Sequence, residues 1–290
     1  MKTSLFSPQR RLIAALLAST FVAGCGTPPA SGAGSAAAAP AAAPAPEAVR
    51  HSLAPSGTLR VGVYPGSPTS LVLQDGQERG LTVELGQELA RQIGRPVQLQ
   101  RYQRVAQVVD AVQRGEVDMT ITNATAARAA LVDFSPPVVR LGLGLLVLPA
   151  SPIQRLGDMD RPGMRIGVSE GSSSQAALGR QLKQARLVAA PSLKEAAEML
   201  RAGSLDALAT NQAILFEMAD GVAGARVLDE RWGQETLAIA VPKGRAEVLP
   251  WLGEFVQWAS RAGRVEQAAR RAGLRGTLPP ETAEPRPTRP

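Results

Sequence analysis

Cysteine, histidine and aromatic residues are nearly absent from these 290 residues: one Cys, one His and 3% Phe, Trp and Tyr. A single thiol, Cys25, excludes a disulfide framework. A single imidazole, His51, excludes a histidine-built metal centre and a Ser-His-Asp triad, and no cofactor motif accompanies it. Scarce aromatics remove the stacking platform on which single strands of nucleic acid bind. The 32 basic residues are scattered among 25 acidic ones, so a formal charge of +7 reads as solvated surface and not as a nucleic-acid face. Trp232, Trp251, Trp258 and Tyr102 are expected to pack in the core or at a hinge. The one apolar run near the N-terminus, Leu12 to Val22, is too short to span a bilayer.

That run follows Lys2, Arg10 and Arg11, and together they read as an export signal over residues 1–24. Without those three cations the balance is 29 basic to 25 acidic residues, or +4. Val22-Ala23-Gly24-Cys25 resembles the lipobox of bacterial lipoproteins, which implies acylation of Cys25 and a periplasmic chain held to the envelope by lipid alone. Residues 25–56 are rich in Ala, Pro, Gly and Ser and read as an unstructured linker, as does the tail 277–290.

Between them lies an internal repeat. Leu59-Arg60-Val61-Gly62-Val63-Tyr64-Pro65-Gly66-Ser67 matches Met164-Arg165-Ile166-Gly167-Val168-Ser169-Glu170-Gly171-Ser172, each a β-branched strand running into a Gly-Ser turn. Gly115-Glu116-Val117-Asp118 leading to Thr122-Asn123 matches Gly203-Ser204-Leu205-Asp206 leading to Thr210-Asn211. Each follows an amphipathic helix, with Val105, Val108, Val109 and Val112 on one face before Gly115, and Leu193, Ala196, Ala197 and Leu200 before Gly203. Alternating strands and helices in two copies predict two similar α/β lobes. Ligands of open α/β sheets bind beyond the carboxyl ends of the strands, which places Ser67, Asn123, Ser172 and Asn211 at one cleft.

After Thr122-Asn123 come Thr125-Ala126-Ala127-Arg128 and Val132-Asp133-Phe134-Ser135-Pro136. Here the chain resembles the bacterial solute-binding proteins of family 3, the amino-acid-type receptors of ABC importers, from Gly57 to about Gly273. Gly80-Leu81-Thr82-Val83-Glu84-Leu85, Gly171-Ser172-Ser173 and Ile239-Ala240-Val241-Pro242-Lys243-Gly244 extend the likeness. It implies a fold of the periplasmic binding protein type 2 kind: lobe 1 over 57–147 and again over 236–276, lobe 2 over 148–235. Leu141 to Val147 and Thr236 to Val241 would cross between the lobes as a two-strand hinge.

By the same resemblance Arg128 grips a ligand carboxylate, a role suited to a planar guanidinium donating two parallel bonds. Ser172 and Ser173 stand where a strand feeds a helix, and helix capping and anion binding are both open to them. Asn123 and Thr125 are either cleft residues or local turn satisfiers, and Tyr64 either meets ligand or packs. The family's ammonium-pairing Asp is replaced by Asn211, which favours a small anion or neutral solute beside amino acids. Glu170 and Glu84 are the acids considered as replacements. The expected function is capture of a small polar, carboxylate-bearing solute by a monomer that delivers it to an inner-membrane ABC permease. Two rivals remain: a dehydratase-like enzyme of the same fold, and an envelope sensor.

Overall fold

The computed structural model describes residues 44–279 apart from 246. The expected export signal, Cys25, most of the linker and the tail from 280 onward lie outside the described residues. Where the linker is described it is corrected: Glu47–Leu53 forms helix α1. Val49 and Leu53, four residues apart and therefore on one face, are buried in the same core as Trp251 and Phe255. Two apolar side chains in register suffice once a core is there to receive them.

The first lobe is assembled from β1 (Leu59–Val63), β2 (Val72–Gln74), β3 (Gln77–Arg79), α2 (Leu81–Ile93), β4 (Val97–Arg101), α3 (Val105–Gln113), β5 (Thr120–Asn123) and the short α4 (Ala126–Ala129). β1 pairs in parallel with β4 and meets the approach to β5 through Val61 and Met119. Leu81, Leu85, Leu89 and Ile93 form the buried stripe of α2, and Gly94 ends the helix in the left-handed conformation.

Next comes the long β6 (Val132–Val147). The second lobe follows with β7 (Arg165–Ser169), α5 (Ser173–Gln181), β8 (Arg186–Ala190), α6 (Leu193–Arg201), β9 (Ala207–Asn211), α7 (Gln212–Asp220) and β10 (Arg226–Val227). β11 (Gly233–Pro242) leads back to α8 (Val248–Arg261), α9 (Arg264–Arg271) and β12 (Thr277–Leu278). The principal sheet runs β5-β11-β6-β9-β7-β8. β6 pairs antiparallel with β11 over most of its length, and its far end pairs with β9. The same two strands thus belong to both lobes. The changeover falls where Arg140–Leu143 face Gly233–Thr236, slightly to one side of the expected hinge stretches. β12 adds a further strand there, pairing Thr277 with Leu141 and Leu278 with Arg140. The tail expected to be unstructured from 277 therefore starts with a strand, because the edge of β6 offers unpaired backbone groups at that point.

The repeat read from sequence has an internal logic in three dimensions. Arg60 donates from its backbone N (3.0 Å) and Nε (2.9 Å) to Oδ2 of Asp118 and from Nη2 to Oδ1 (2.7 Å). Arg165 donates to Asp206 from the same three atoms, at 2.7, 3.0 and 2.7 Å. Each clamp ties the first strand of its lobe to the start of the strand after the second helix. The residue before each Asp fills the space over a strand glycine: a Cβ on Gly62 would meet Val117 at 3.1 Å, and one on Gly167 would meet Leu205 at 2.4 Å. The Arg, Gly, apolar and Asp positions of the repeat form one packing unit used twice.

Asp118 is fully buried and also accepts from Arg245 at 3.3 Å, whereas the Asp206 side chain retains some exposure. Asp118→Ala strands two arginines and is expected to cost about 3–5 kcal/mol. Asp206→Ala should cost about 1.5–3 kcal/mol, the range of bonds to charged groups. Urea denaturation of the two variants checks the order. The hydrogen bond from Arg165 holds the Asp206 carboxyl below its ordinary value of 3.8. Its contribution is therefore complete above pH 3.8 and is lost as pH falls further, through the depressed value.

Candidate functional site

Between the lobes lies a cavity with about 30 Å³ of free volume. At roughly 10–15 Å³ of such space per water, it has room for two or three molecules. Its polar lining comes from both lobes and from the hinge: Arg128 and Asn123, Ser172, Ser173 and Asn211, and Glu235 on β11. Tyr64, Val105, Ile121, Leu193, Ile214 and Leu237 supply apolar wall.

Arg128 is only 8% exposed, though it lies on the four-residue α4. Thr125 accepts from the Arg128 backbone N at 3.2 Å and caps that turn; it does not line the cavity. The guanidinium donates through Nη1 to Thr122 Oγ1 at 2.6 Å and to the Asn123 carbonyl at 3.5 Å. Nε and Nη2 have no protein acceptor among the described residues. Burial opposes the charge of this arginine, and the nearby Glu235 carboxylate supports it.

The remaining expected residues are engaged in ways that explain their types. Ser172 caps α5 by accepting from Gln175 N at 3.1 Å, so capping describes it. Asn211 caps α7 with Oδ1, accepting from Ile214 N at 3.0 Å, and donates Nδ2 to Glu235 at 2.8 Å. Asn123 accepts from Thr236 N with Oδ1 and donates Nδ2 to Ser173 Oγ at 3.1 Å, a bond between lobes. Ser173 also lies near enough to Glu235 to favour its ionised form. Ser67 is fully buried and lies outside the lining, holding Thr69 Oγ1 at 2.8 Å and the Tyr64 hydroxyl at 3.4 Å. Tyr64 both packs against the Leu193 cluster of the second lobe and faces the cavity.

Neither acid considered as a replacement for the family's Asp is at the cavity. Glu84 lies on α2, paired with Arg79 (3.2 Å) and Arg271 (3.1 Å). Glu170 is exposed and pairs with Arg104 at 3.1 Å across the lobes, beside the point where a Cβ on Gly171 would come within 2.5 Å of Ala106. The acid that lines the cavity is Glu235, 7% exposed and unremarked in the sequence because the expected hinge began one residue later. Its signal was a lone carboxylate beside the apolar run Leu237 to Val241. Thr122 was missed as well: strand alternation sets it on the face opposite Ile121 and Asn123, and only its bond from Arg128 shows its part in the site. Among the described residues no three His, Cys, Asp or Glu side chains gather as metal ligands.

Burial pushes the Glu235 carboxyl above the ordinary glutamate value of 4.5, against the opposing effects of Arg128, Asn211 and Ser173. The folded protein then holds that proton more tightly than the unfolded chain does. Stability is expected to fall as pH rises from 4.5 through the raised value. In Glu235→Gln that part of the slope should vanish, which denaturation midpoints measured across a pH series would reveal.

Comparison with known proteins agrees with this architecture. The profile of the bacterial extracellular solute-binding proteins, family 3, matches residues 59–273. The ABC transporter glutamine-binding protein GlnH of Bacillus subtilis (strain 168) is 24% identical over 196 residues, 66% of this chain and 71% of that protein. A solute receptor for L-cysteine from Neisseria gonorrhoeae superposes with a TM-score of 0.69 at 25% identity, covering 77% of this chain and 92% of its own. An ancestral amino acid-binding protein, described as a precursor of cyclohexadienyl dehydratase, superposes with a TM-score of 0.67 at 24% identity, covering 76% and 97%, and shares the fold. Matched over roughly three quarters of its length and built as two lobes about a polar cleft, the chain belongs to the bacterial extracellular solute-binding proteins, family 3.

Proposed function

We propose that this protein is the receptor of an ABC-type importer, a monomer that captures a compact carboxylate-bearing solute between its lobes and presents the closed form to an inner-membrane permease. The observation that carries the reading is Arg128: a buried guanidinium at the cavity with Nε and Nη2 without protein acceptors. Two parallel charge-assisted bonds to a carboxylate complete it. The relatives support the importer role, one being named an ABC transporter glutamine-binding protein and another a glutamine-binding protein. Lobe boundaries at 57–147, 148–235 and 236–276 fit this mode of action, with β6 and β11 as the connection. Closure then depends on solute contacts made from both sides of the cleft.

A second reading has one observation in its favour. A buried carboxyl with a raised pKa beside a carboxylate-binding arginine is also the equipment of a general acid, and one structural neighbour is described as a dehydratase precursor. The small cavity disfavours a bulky cyclic acid as substrate. Turnover of prephenate-like acids by the purified protein would support the enzyme.

The binding reading is tested by thermal shift against amino acids and small organic acids. A ligand at about 100 times its Kd stabilises by about 2.7 kcal/mol. Arg128→Ala is expected to weaken any hit at least about 100-fold, from the loss of two charged bonds. Arg128→Lys should recover only part of the loss.

We further propose that Cys25 carries the lipid that keeps the receptor at the outer face of the cytoplasmic membrane or elsewhere in the envelope. Cys25→Ser should move the protein from the membrane fraction to the soluble extracytoplasmic fraction and abolish incorporation of labelled fatty acid.

A further inference from the structure

Arg128 and Glu235 are both buried, carry opposite charges and line the same cavity. Each feels the charge of the other. Yet they form no ion pair within 4.0 Å, although many other Arg and acidic side chains in this protein do. Two opposite charges taken out of water ordinarily close on one another, because the interaction strengthens as the dielectric falls. Here they are held apart, and the gap between them is the cavity.

Glu235 is engaged instead by a donor whose direction is fixed. Asn211 must present Nδ2 to Glu235, since its Oδ1 is committed to capping α7. Ser173 accepts from Asn123, and Asn123 is turned that way by Thr236 N. Glu235 is therefore held as an acceptor, the state of a carboxylate kept ready for a cation. An Asp at position 211 would set a second carboxylate against Glu235 with no proton to give it. Asn211 is the side chain that Glu235 requires, and the loss of an acid at 211 and its presence at 235 are one relocation, from a helix cap to the adjoining hinge strand.

We propose that Glu235 is the specificity-determining residue of the cleft, receiving the ammonium of an α-amino acid whose carboxylate lies on Arg128, with Asn211 as its positioning residue. The solute is then a zwitterion with both charges on one carbon, matched to opposed charges a short distance apart. A simple organic anion would satisfy Arg128 while placing its own charge near Glu235 in a desolvated space. This inference rests on the reading of Arg128 above and replaces the expectation that Asn211 turns the protein toward anions or neutral solutes. Because Arg128 belongs to the first lobe and Asn211 to the second, the zwitterion site is completed only when the cleft is closed.

The test is calorimetric titration of the full-length protein in detergent at neutral pH with the common α-amino acids. The tightest binder is then compared with its des-amino acid, for example alanine with propionate. The wild type should prefer the amino acid by about 100-fold or more. Glu235→Gln should cut that preference below about tenfold, chiefly by weakening the amino acid, without lowering the thermal midpoint of the free protein. Adding Asn211→Asp to Glu235→Gln should restore much of the preference by returning a carboxylate to the helix cap. Equal affinity of the wild type for both members of the pair, or an undiminished preference in Glu235→Gln, overturns the inference while leaving carboxylate capture by Arg128 intact. Failure of every amino acid and organic acid to bind, or binding unaffected by Arg128→Ala, overturns the reading of the cleft and this inference with it.

Discussion

The antiparallel pairing of β6 with β11 is the interaction on which the rest of the molecule depends. These strands are the only principal-sheet members with partners on both sides of the changeover among the described residues: β5 pairs with β11 at one end, and β9 pairs with β6 at the other. A ladder of backbone bonds is strong in aggregate and indifferent to side-chain identity. It can therefore carry functional side chains at the changeover without losing its register. Glu235 occupies that place, opposite Leu141.

The lobes themselves are braced independently of the ladder. Arg60 with Asp118 and Arg165 with Asp206 pin the two halves of each lobe with matching atoms. With each lobe internally fixed, what joins one lobe to the other is the crossing strands and contacts across the cleft, such as Asn123 with Ser173 and Arg104 with Glu170. A rigid lobe is what allows a few polar contacts with a small solute to shift the position of a whole domain.

Much of the fold was legible because it repeats. The strand and helix periodicity, the Gly-Ser turns and the G-x-[VL]-D strings identify two α/β lobes from local pattern alone. The clamps were less visible, since both arginines and both aspartates stood in the matched strings but pairing them requires the chain to close over 58 residues in one lobe and 41 in the other. Glu235 is the extreme case: its meaning comes from Asn211, Ser173 and Arg128, all remote in sequence. Helix α1 and strand β12 escaped for the opposite reason. Each is too short to declare itself by composition and exists because a core or a strand edge elsewhere accepts it.

β12 has a practical bearing on how the protein is handled. Its two residues lie across the changeover of the hinge, with Gly142 N bonded to the Gly276 carbonyl and Arg140 to the Pro279 carbonyl. β12 borders the changeover at which β6 and β11 pass from one lobe to the other. A label inserted within 277–279 would replace backbone bonds that this edge of β6 uses, whereas one on an exposed residue of α9 would leave them intact.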